Sequence, residues 1–209
     1  MTPGQRAVAA RAAALLLRYP DAEVLAAVPT VQAALPELPG VAAGPLATVA
    51  AHLADQDPCE LAAGYVTTFD FRRRCCLYLS YYTHGDTRAR GQALVGFAAA
   101  YRSAGLAVGG GELPDFLPAV LELAAVAGEP GWRLLSDHRV GLDLLAVALD
   151  RDRSVYRHAL AAVRGLLPPP GPGDQAAAGR LAATGPPAEL VGLEPFPTGT
   201  VPTITGGRR

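Results

Sequence analysis

Residues 77–91 read LYLSYYTHGDTRARG, and this stretch decides how the rest of the chain is interpreted. Two shorter segments flank it, YVTTFD at 65–70 and ELPDFLP at 112–118. Together they bring aromatic side chains, arginines, a glycine turn and acids beside prolines into a chain otherwise dominated by alanine and leucine. We therefore expect a binding site between residues 65 and 122.

The composition around these segments favours helices. With 209 residues, the chain is long enough for one domain with a sizeable core. Alanine and leucine are abundant, whereas the β-branched and aromatic residues that favour strands are few, which argues against an all-β fold. We predict an all-α protein, a compact single-domain helical bundle.

Charge and cysteine content argue against several classes of function. The formal net charge is −1, and the 18 lysine-plus-arginine positions are all arginine, so neither a basic nucleic-acid face nor a lysine-dependent site is expected. Three cysteines, two of them adjacent, make neither a disulfide framework nor a tetrahedral metal site, which suits a reducing cytoplasm. No stretch approaches the ~20 apolar residues of a membrane span. We predict a cytoplasmic protein with no metal, no cofactor, no nucleic-acid partner and no direct membrane insertion.

Prolines and acidic caps set the predicted helix boundaries. Asp21 and Asp57 can each cap a helix start. Pro29 is expected to end one helix and Pro45 to begin another, because proline is tolerated in the first helical turn but not in the interior. The apolar run at 75–82 is predicted to be a buried helix. The other predicted segments in this part of the chain are 6–17, 21–28, 30–35 and 45–54.

The first candidate residues lie on the helix that begins after Asp57. Leu61, Tyr65 and Phe69 recur every four residues, which places them on one helical face. Core packing is the ordinary explanation of such an aromatic stripe, and partner binding is the alternative for Tyr65 and Phe69. Asp70 directly follows the stripe and is a candidate for contact with a basic partner.

A turn follows at residues 83–88, THGDTR. Gly85 permits a positive φ angle, and either of the next two residues can cap the following helix. Capping does not account for an imidazole and guanidinium groups at the same junction, which could bind an anion or a partner. The candidates here are His84, Asp86, Arg88 and Arg90.

A second junction follows the triple glycine at 109–111, which is predicted to be a mobile link. No GxGxxG or GK[ST] pattern accompanies it, so a phosphate-binding loop is not expected. Pro114 and Pro118 fix the entry into the next helix and hold Glu112 and Asp115 at the junction. These acids either complement the helix dipole or receive a cationic ligand.

The C-terminal part changes character after residue 167. A helical region at 132–149, which Gly141 could break in two, and one last helix complete an all-helical domain at residues 1–167. Residues 168–209 are rich in proline and glycine and bury too little apolar surface to offset the entropy of ordering, so we predict a mostly disordered tail. The apolar patch at 190–196 could dock back on the bundle.

The segments at 65–70, 77–91 and 112–118 resemble the NarJ family in sequence, order and spacing. NarJ proteins are the assembly chaperones of the membrane-bound respiratory nitrate reductase, within the wider TorD-like group of molybdoenzyme chaperones. The likeness extends over residues 10–165 and implies a TorD-like helical bundle. Phe116 departs from the pattern, because tyrosine or histidine is commoner there.

The resemblance implies a chaperone and not an enzyme. Its partner would be the immature catalytic (alpha) subunit of nitrate reductase, especially the N-terminal segment, which it would keep competent for molybdenum cofactor insertion. We expect the client to lay an amphipathic helix in a groove of the bundle. The candidate partner-binding residues are Tyr65, Phe69, Asp70, His84, Asp86, Arg88, Arg90, Glu112 and Asp115.

Three alternatives remain open from the sequence. A TorD-like chaperone of another molybdoenzyme is compatible with the same segments. A helical protein that binds a nucleotide or another small ligand could use His84 and the arginines. A helical hydrolase with His84 and Asp86 as acid and base would need a nucleophile or metal that the sequence does not show.

Overall fold

The computed structural model describes residues 1–187. In this range the chain forms α-helices joined by short connections, and the only β-type pairing is a single bridge. Two 3-10 turns, Leu35–Glu37 and Arg73–Cys75, lie between the helices. The helices are α1 Pro3–Leu16, α2 Ala22–Ala34, α3 Gly40–Asp55, α4 Pro58–Phe69, α5 Tyr81–His84, α6 Arg88–Ser103, α7 Leu117–Ala127, α8 Glu129–Asp137, α9 Arg139–Arg151, α10 Arg157–Gly165 and α11 Pro172–Thr184. The predicted all-α fold is confirmed.

The acidic caps lie where the sequence predicts them. The Asp21 carboxylate accepts the Val24 N–H at 2.8 Å and starts α2. The Asp57 carboxylate accepts the Cys59 N–H at 2.8 Å and starts α4, with Pro58 as its first residue. Each cap satisfies a backbone donor that the first helical turn leaves without a partner.

The predicted boundaries at the next two prolines were wrong. Pro29 lies inside α2, and Pro45 lies inside α3 rather than at its start. Each proline removes one backbone hydrogen bond, but Val28 and Leu46 beside them are buried in the core. Burial of the apolar side chain beside each proline outweighs the lost bond.

The predicted helix at 75–82 was also wrong. After the 3-10 turn the chain is extended as far as Tyr78, which pairs with Phe116 in an antiparallel bridge. The Leu79 N–H donates to the Asp115 carbonyl at 3.0 Å, and the Leu117 N–H donates to the Leu77 carbonyl at 2.8 Å. Leu77 and Leu79 are buried while Tyr78 is partly exposed, which is the alternation of an extended chain.

The region predicted at 132–149 is broken at His138, between α8 and α9, and not at Gly141. Gly141 lies inside α9, where a Cβ atom would come within 3.1 Å of both the Leu79 carbonyl oxygen and the Tyr82 ring. The glycine therefore allows α9 to approach the extended segment closely.

The core lies where α1, α3, α7 and α10 pack against one another. The inner face of α1 is built from alanines, of which Ala9, Ala10 and Ala13 are fully buried. Methyl side chains allow neighbouring helices to approach α1 closely. Leucines from α3 and α7 fill the space between the packed helices.

Part of the segment predicted as a disordered tail forms α11, which packs against α9. The Asp174 carboxylate accepts the Gly171 N–H at 2.9 Å, and Arg139 donates to the Pro168 carbonyl. The cap, a run of alanines and the hydrogen bond from Arg139 to the Pro168 carbonyl favour a helix here. The proline-rich composition of the segment did not predict it. Residues 188–209 lie outside the described residues, so the domain boundary and the tail disorder stay predictions.

A buried carboxylate holds the crossing of the extended segment and the turn before α7. Asp115 is fully buried, and its Oδ2 atom accepts the Ser80 N–H at 3.2 Å and the Ser80 hydroxyl at 2.5 Å. Arg90 Nη2 lies 3.6 Å from the same oxygen, and Arg90 Nε donates to Ser80 Oγ at 3.2 Å. The Oδ1 atom of Asp86 lies 3.4 Å from Arg90 Nη1, and the Asp86 side chain is exposed.

The close approach of α8 to α7 yields a first prediction. A Cβ atom at Gly131 would lie 2.2 Å from the Ala124 backbone nitrogen, so Gly131→Ala should lower the free energy of unfolding by about 1–3 kcal/mol. Gly64→Ala, at an exposed α4 glycine with open space beyond it, should raise the same quantity by up to about 1 kcal/mol. Urea unfolding followed by circular dichroism measures both, and equal effects would contradict the close packing.

The buried carboxylate yields a second prediction. Asp115→Ala should lower the free energy of unfolding by about 3 kcal/mol, because Ser80 and Arg90 lose their buried partner. Asp86→Ala removes the exposed partner of the same arginine and should cost less than about 1 kcal/mol. Comparable losses in the two variants, measured by urea unfolding, would show that the buried network does not stabilise the crossing.

Candidate functional site

A continuous groove runs along the surface beside α1, α4 and α7. It consists of two adjoining cavities of about 340 and 540 Å³ that share Arg18, Glu112 and Phe116. We call it the α1–α7 groove. Its other main lining residues are Tyr19, Asp21, Tyr65, Phe69, Asp70, Tyr78, Tyr101, Leu106, Gly109, Gly110, Glu122 and Val126.

The floor of the first cavity is an aromatic cluster. The Tyr65 ring lies 4.7 Å from Phe69 and 5.5 Å from Tyr19, and both Tyr65 and Phe69 also contact Tyr156. Tyr65 and Phe69 are only 6% and 8% exposed, so they pack in the core and reach the groove with an edge. The Tyr65 hydroxyl donates to the Leu17 carbonyl at 3.0 Å, and burial raises the pKa of Tyr65 well above its usual range.

The upper parts of the groove expose apolar side chains. Tyr19 is 46% exposed, Leu106 is 36% exposed and Val126 is 64% exposed. Phe71, which follows the groove residue Asp70, is 78% exposed. Several large apolar side chains that face water along one groove are typical of a surface that binds a partner.

Carboxylates outnumber cations on the groove lining. Asp21, Asp70, Glu112 and Glu122 contribute four carboxylates, and Arg18 contributes the one guanidinium among the lining residues. The site is therefore suited to an apolar segment that carries basic side chains.

Among these acids, Glu112 is held in place by two hydrogen bonds. Its Oε1 atom accepts the Tyr78 hydroxyl at 2.8 Å and the Leu113 N–H at 3.0 Å. Burial, followed by the Glu112 carboxylate, raises the pKa of Tyr78 well above its usual range, so the hydroxyl remains a donor. The carboxylate is thus held in place at the junction of the two cavities.

The structure divides the predicted site residues among three locations. Tyr65, Phe69, Asp70 and Glu112 line the α1–α7 groove. Asp115 and Arg90 lie behind its wall, where the Arg90 guanidinium is 5.6 Å from the centre of the Tyr78 ring. The remaining three, His84, Asp86 and Arg88, lie at the junction of α5 and α6 and are not among the residues that line the groove.

The turn at this junction is only partly as predicted. Gly85 has a φ angle of +57°, which confirms the predicted positive φ. Neither predicted cap forms, because the Thr87 hydroxyl donates back to the His84 carbonyl at 2.7 Å and no side chain caps α6. His84 lines a separate groove between α6 and α8.

The arginine run at 72–74 makes internal ion pairs. Arg72 and Arg74 lie 2.8 and 2.7 Å from the Asp152 carboxylate, and their hydrogen bonds lower the pKa of Asp152. Burial raises the pKa of the adjacent Cys75 thiol to about 11, so this thiol is a poor nucleophile. Two of the three arginines therefore tie the 3-10 turn to the end of α9.

Residues 1–187 contain neither a metal-binding cluster nor a membrane-spanning helix. No group of three or more His, Cys, Asp or Glu side chains in this range is arranged to hold a metal ion. Of the helices in the same range, none has both the length and the apolar character needed to span a bilayer.

Sequence reasoning missed several groove residues. Arg18 and Tyr19 follow the end of α1, and Glu122 and Val126 lie on α7. Arg18 and Tyr19 had one sequence signal, a polar and aromatic interruption after an alanine-rich helix. Glu122 and Val126 join them only because α1 and α7 pack against each other, which the sequence did not signal.

Comparison with known proteins identifies the family. The family model described as "Nitrate reductase delta subunit" matches residues 31–162. The nitrate reductase-like protein NarX of Mycobacterium tuberculosis is 45% identical over 152 residues, which cover 72% of this chain and 23% of NarX. The chain therefore spans less than a quarter of that relative's length.

Two relatives are named as assembly chaperones. The probable nitrate reductase molybdenum cofactor assembly chaperone NarJ of Bacillus subtilis is 31% identical over 165 residues, 77% of this chain and 88% of that protein. NarJ of Escherichia coli K12 is 36% identical over 149 residues, 68% of this chain and 61% of that protein. Because the family model spans more than half of the chain and the Bacillus relative is matched over most of its length, the chain belongs to the nitrate reductase delta subunit family, the NarJ family.

Proposed function

We propose that this protein is an assembly chaperone of respiratory nitrate reductase and not itself an enzyme. In this proposal it binds the immature catalytic subunit, notably its N-terminal segment, and keeps it competent for molybdenum cofactor insertion. The names of the NarJ relatives support the client class. The observation that carries the proposal is the α1–α7 groove, whose lining combines exposed apolar side chains with four carboxylates.

The groove suits one amphipathic segment of a client. An amphipathic helix presents a single apolar stripe, and Tyr19, Leu106 and Val126 offer it apolar surface that already faces water. The aromatic floor is packed in the core and does not need to be ordered on binding. Basic residues beside the apolar stripe would face Asp70 and Glu112.

The nine candidate residues then have different roles. Asp70 and Glu112 meet the client directly, and Tyr65 and Phe69 form the floor beneath it. Arg90 and Asp115 position the wall through Ser80 and Tyr78.

Roles for the remaining three candidates, at the junction of α5 and α6, stay predictions. They would meet the client only outside the groove. No observation on residues 1–187 favours nucleotide binding or hydrolysis over the chaperone function.

We place the action of the protein in the cytoplasm. All three cysteines are free, and Cys59 is exposed while Cys75 is buried. Free thiols, one of them exposed, are compatible with a reducing compartment.

The apolar part of the groove yields a third prediction. Val126→Asp should weaken binding of a peptide copying the client N-terminus by about tenfold or more, because a carboxylate would have to be desolvated in the contact. Val147→Asp, on α9 and outside the groove, is the matched control because Val126 and Val147 are 64% and 65% exposed. Calorimetric titration, with a scrambled peptide for comparison, measures both affinities. Equal affinities of the two variants would place the client elsewhere.

The acidic lining yields a fourth prediction. Asp70→Lys should weaken binding of the same peptide by several-fold and make the affinity less sensitive to salt, because one attraction to basic client residues becomes a repulsion. A lysine at the C-terminal end of α4 complements the helix dipole, so the variant should remain folded. Asp150→Lys changes the charge equally at an exposed α9 position and should leave affinity and salt dependence unchanged. An unaffected Asp70→Lys variant would contradict the charge argument.

A further inference from the structure

A second groove lies between α6 and α8, with a cavity volume of about 860 Å³. We call it the α6–α8 groove. Small residues of α6 leave it open, and the nearly buried Phe97 ring, 4.4 Å from the His138 ring, forms part of its floor. Its apolar lining includes Ala93, Gly96, Phe97, Ala100 and Leu134.

The described chain leads to one end of this groove. α11 packs on α9, and the Pro187 carbonyl then lies directly against Gly85, where an added Cβ atom would be 1.7 Å from the Pro187 oxygen. Gly85 is adjacent to His84, which lines the α6–α8 groove. The last described residue, Pro187, therefore lies beside one end of the groove.

The sequence after Pro187 matches the apolar lining of the groove and is long enough to span it. Residues 188–196 read AELVGLEPF and carry four large apolar side chains in nine residues. The α6 wall runs from Gln92 to Ser103, a rise of about 17 Å at about 1.5 Å per residue. An extended segment covers that distance in five or six residues at about 3.3 Å each.

We propose that residues 188–196 bind in the α6–α8 groove as an intramolecular ligand. Apolar side chains of the segment cover the Phe97 floor, and attachment at Pro187 gives the segment a high effective concentration at the groove. The α1–α7 groove shares no lining residue with the α6–α8 groove. The proposal goes beyond client binding, and either one can fail without the other.

Hydrogen exchange of the full chain, read by mass spectrometry, tests this docking. Amides at 190–196 should exchange at least roughly tenfold more slowly than those of a free peptide of the same sequence. Gly96→Leu fills the groove and should remove this protection. Gly91→Leu makes the same change at another exposed α6 glycine with open space beyond it, outside the groove, and should preserve it.

A variant of the segment and a dilution series distinguish intramolecular docking from protection that arises elsewhere. Leu193→Asp alters the segment and not the bundle, and it should also remove the protection. Tenfold dilution should leave the protection of the unaltered chain unchanged, because the contact is intramolecular. Four outcomes would each overturn the proposal. Three concern the protection itself: free exchange in the unaltered chain, equal protection in the two glycine variants, or protection retained in Leu193→Asp. The fourth is protection lost on dilution, which would indicate a second copy of the chain as the ligand.

Discussion

The buried carboxylate of Asp115 is the constraint on which the geometry of the site depends. A carboxylate removed from water costs several kcal/mol unless charged or hydrogen-bonding groups compensate it. Ser80 and Arg90 supply that compensation at Oδ2, although Oδ1 is buried without a hydrogen-bond partner, and they fix the segment at 76–80 against the turn before α7. The same crossing brings the Tyr78 hydroxyl to Glu112, at the point where the two halves of the α1–α7 groove join.

The sequence predicted correctly the features that depend on residues close together in the chain, such as helix caps. The caps at Asp21 and Asp57 form because a side-chain oxygen satisfies donors a few residues away, whatever the rest of the chain does. Pro29 and Pro45 were misjudged because burial of their neighbours against distant helices outweighs the local cost. The segment at 75–82 was misjudged because its backbone partners lie almost forty residues away.

The lining of the α1–α7 groove was predictable in part of its composition and not in its geometry. The resemblance to NarJ proteins pointed to Tyr65, Phe69, Asp70 and Glu112, and the structure brings these four to one groove. Residues from α1 and α7 complete it, but an apolar residue such as Val126 on an amphipathic helix has no sequence signature that separates core from exposed surface. Only the packing of α1 against α7 shows that this side chain faces water.

The two sides of the α1–α7 groove differ in how firmly they are fixed, and under the proposed function this difference bears on the affinity for a client. The floor is held by ring contacts and by the hydrogen bond from Tyr65 to the Leu17 carbonyl, so it is preorganised. The opposite wall includes Gly109 and Gly110, and the φ angles of +70° and +75° at Gly110 and Gly111 belong to a backbone with little side-chain restraint. Fixing a glycine backbone costs more conformational entropy than fixing any other residue, so tightening this wall around a ligand would limit the affinity gained from the floor. Under the proposed function, that combination of specific contact and modest affinity suits a chaperone that releases its client.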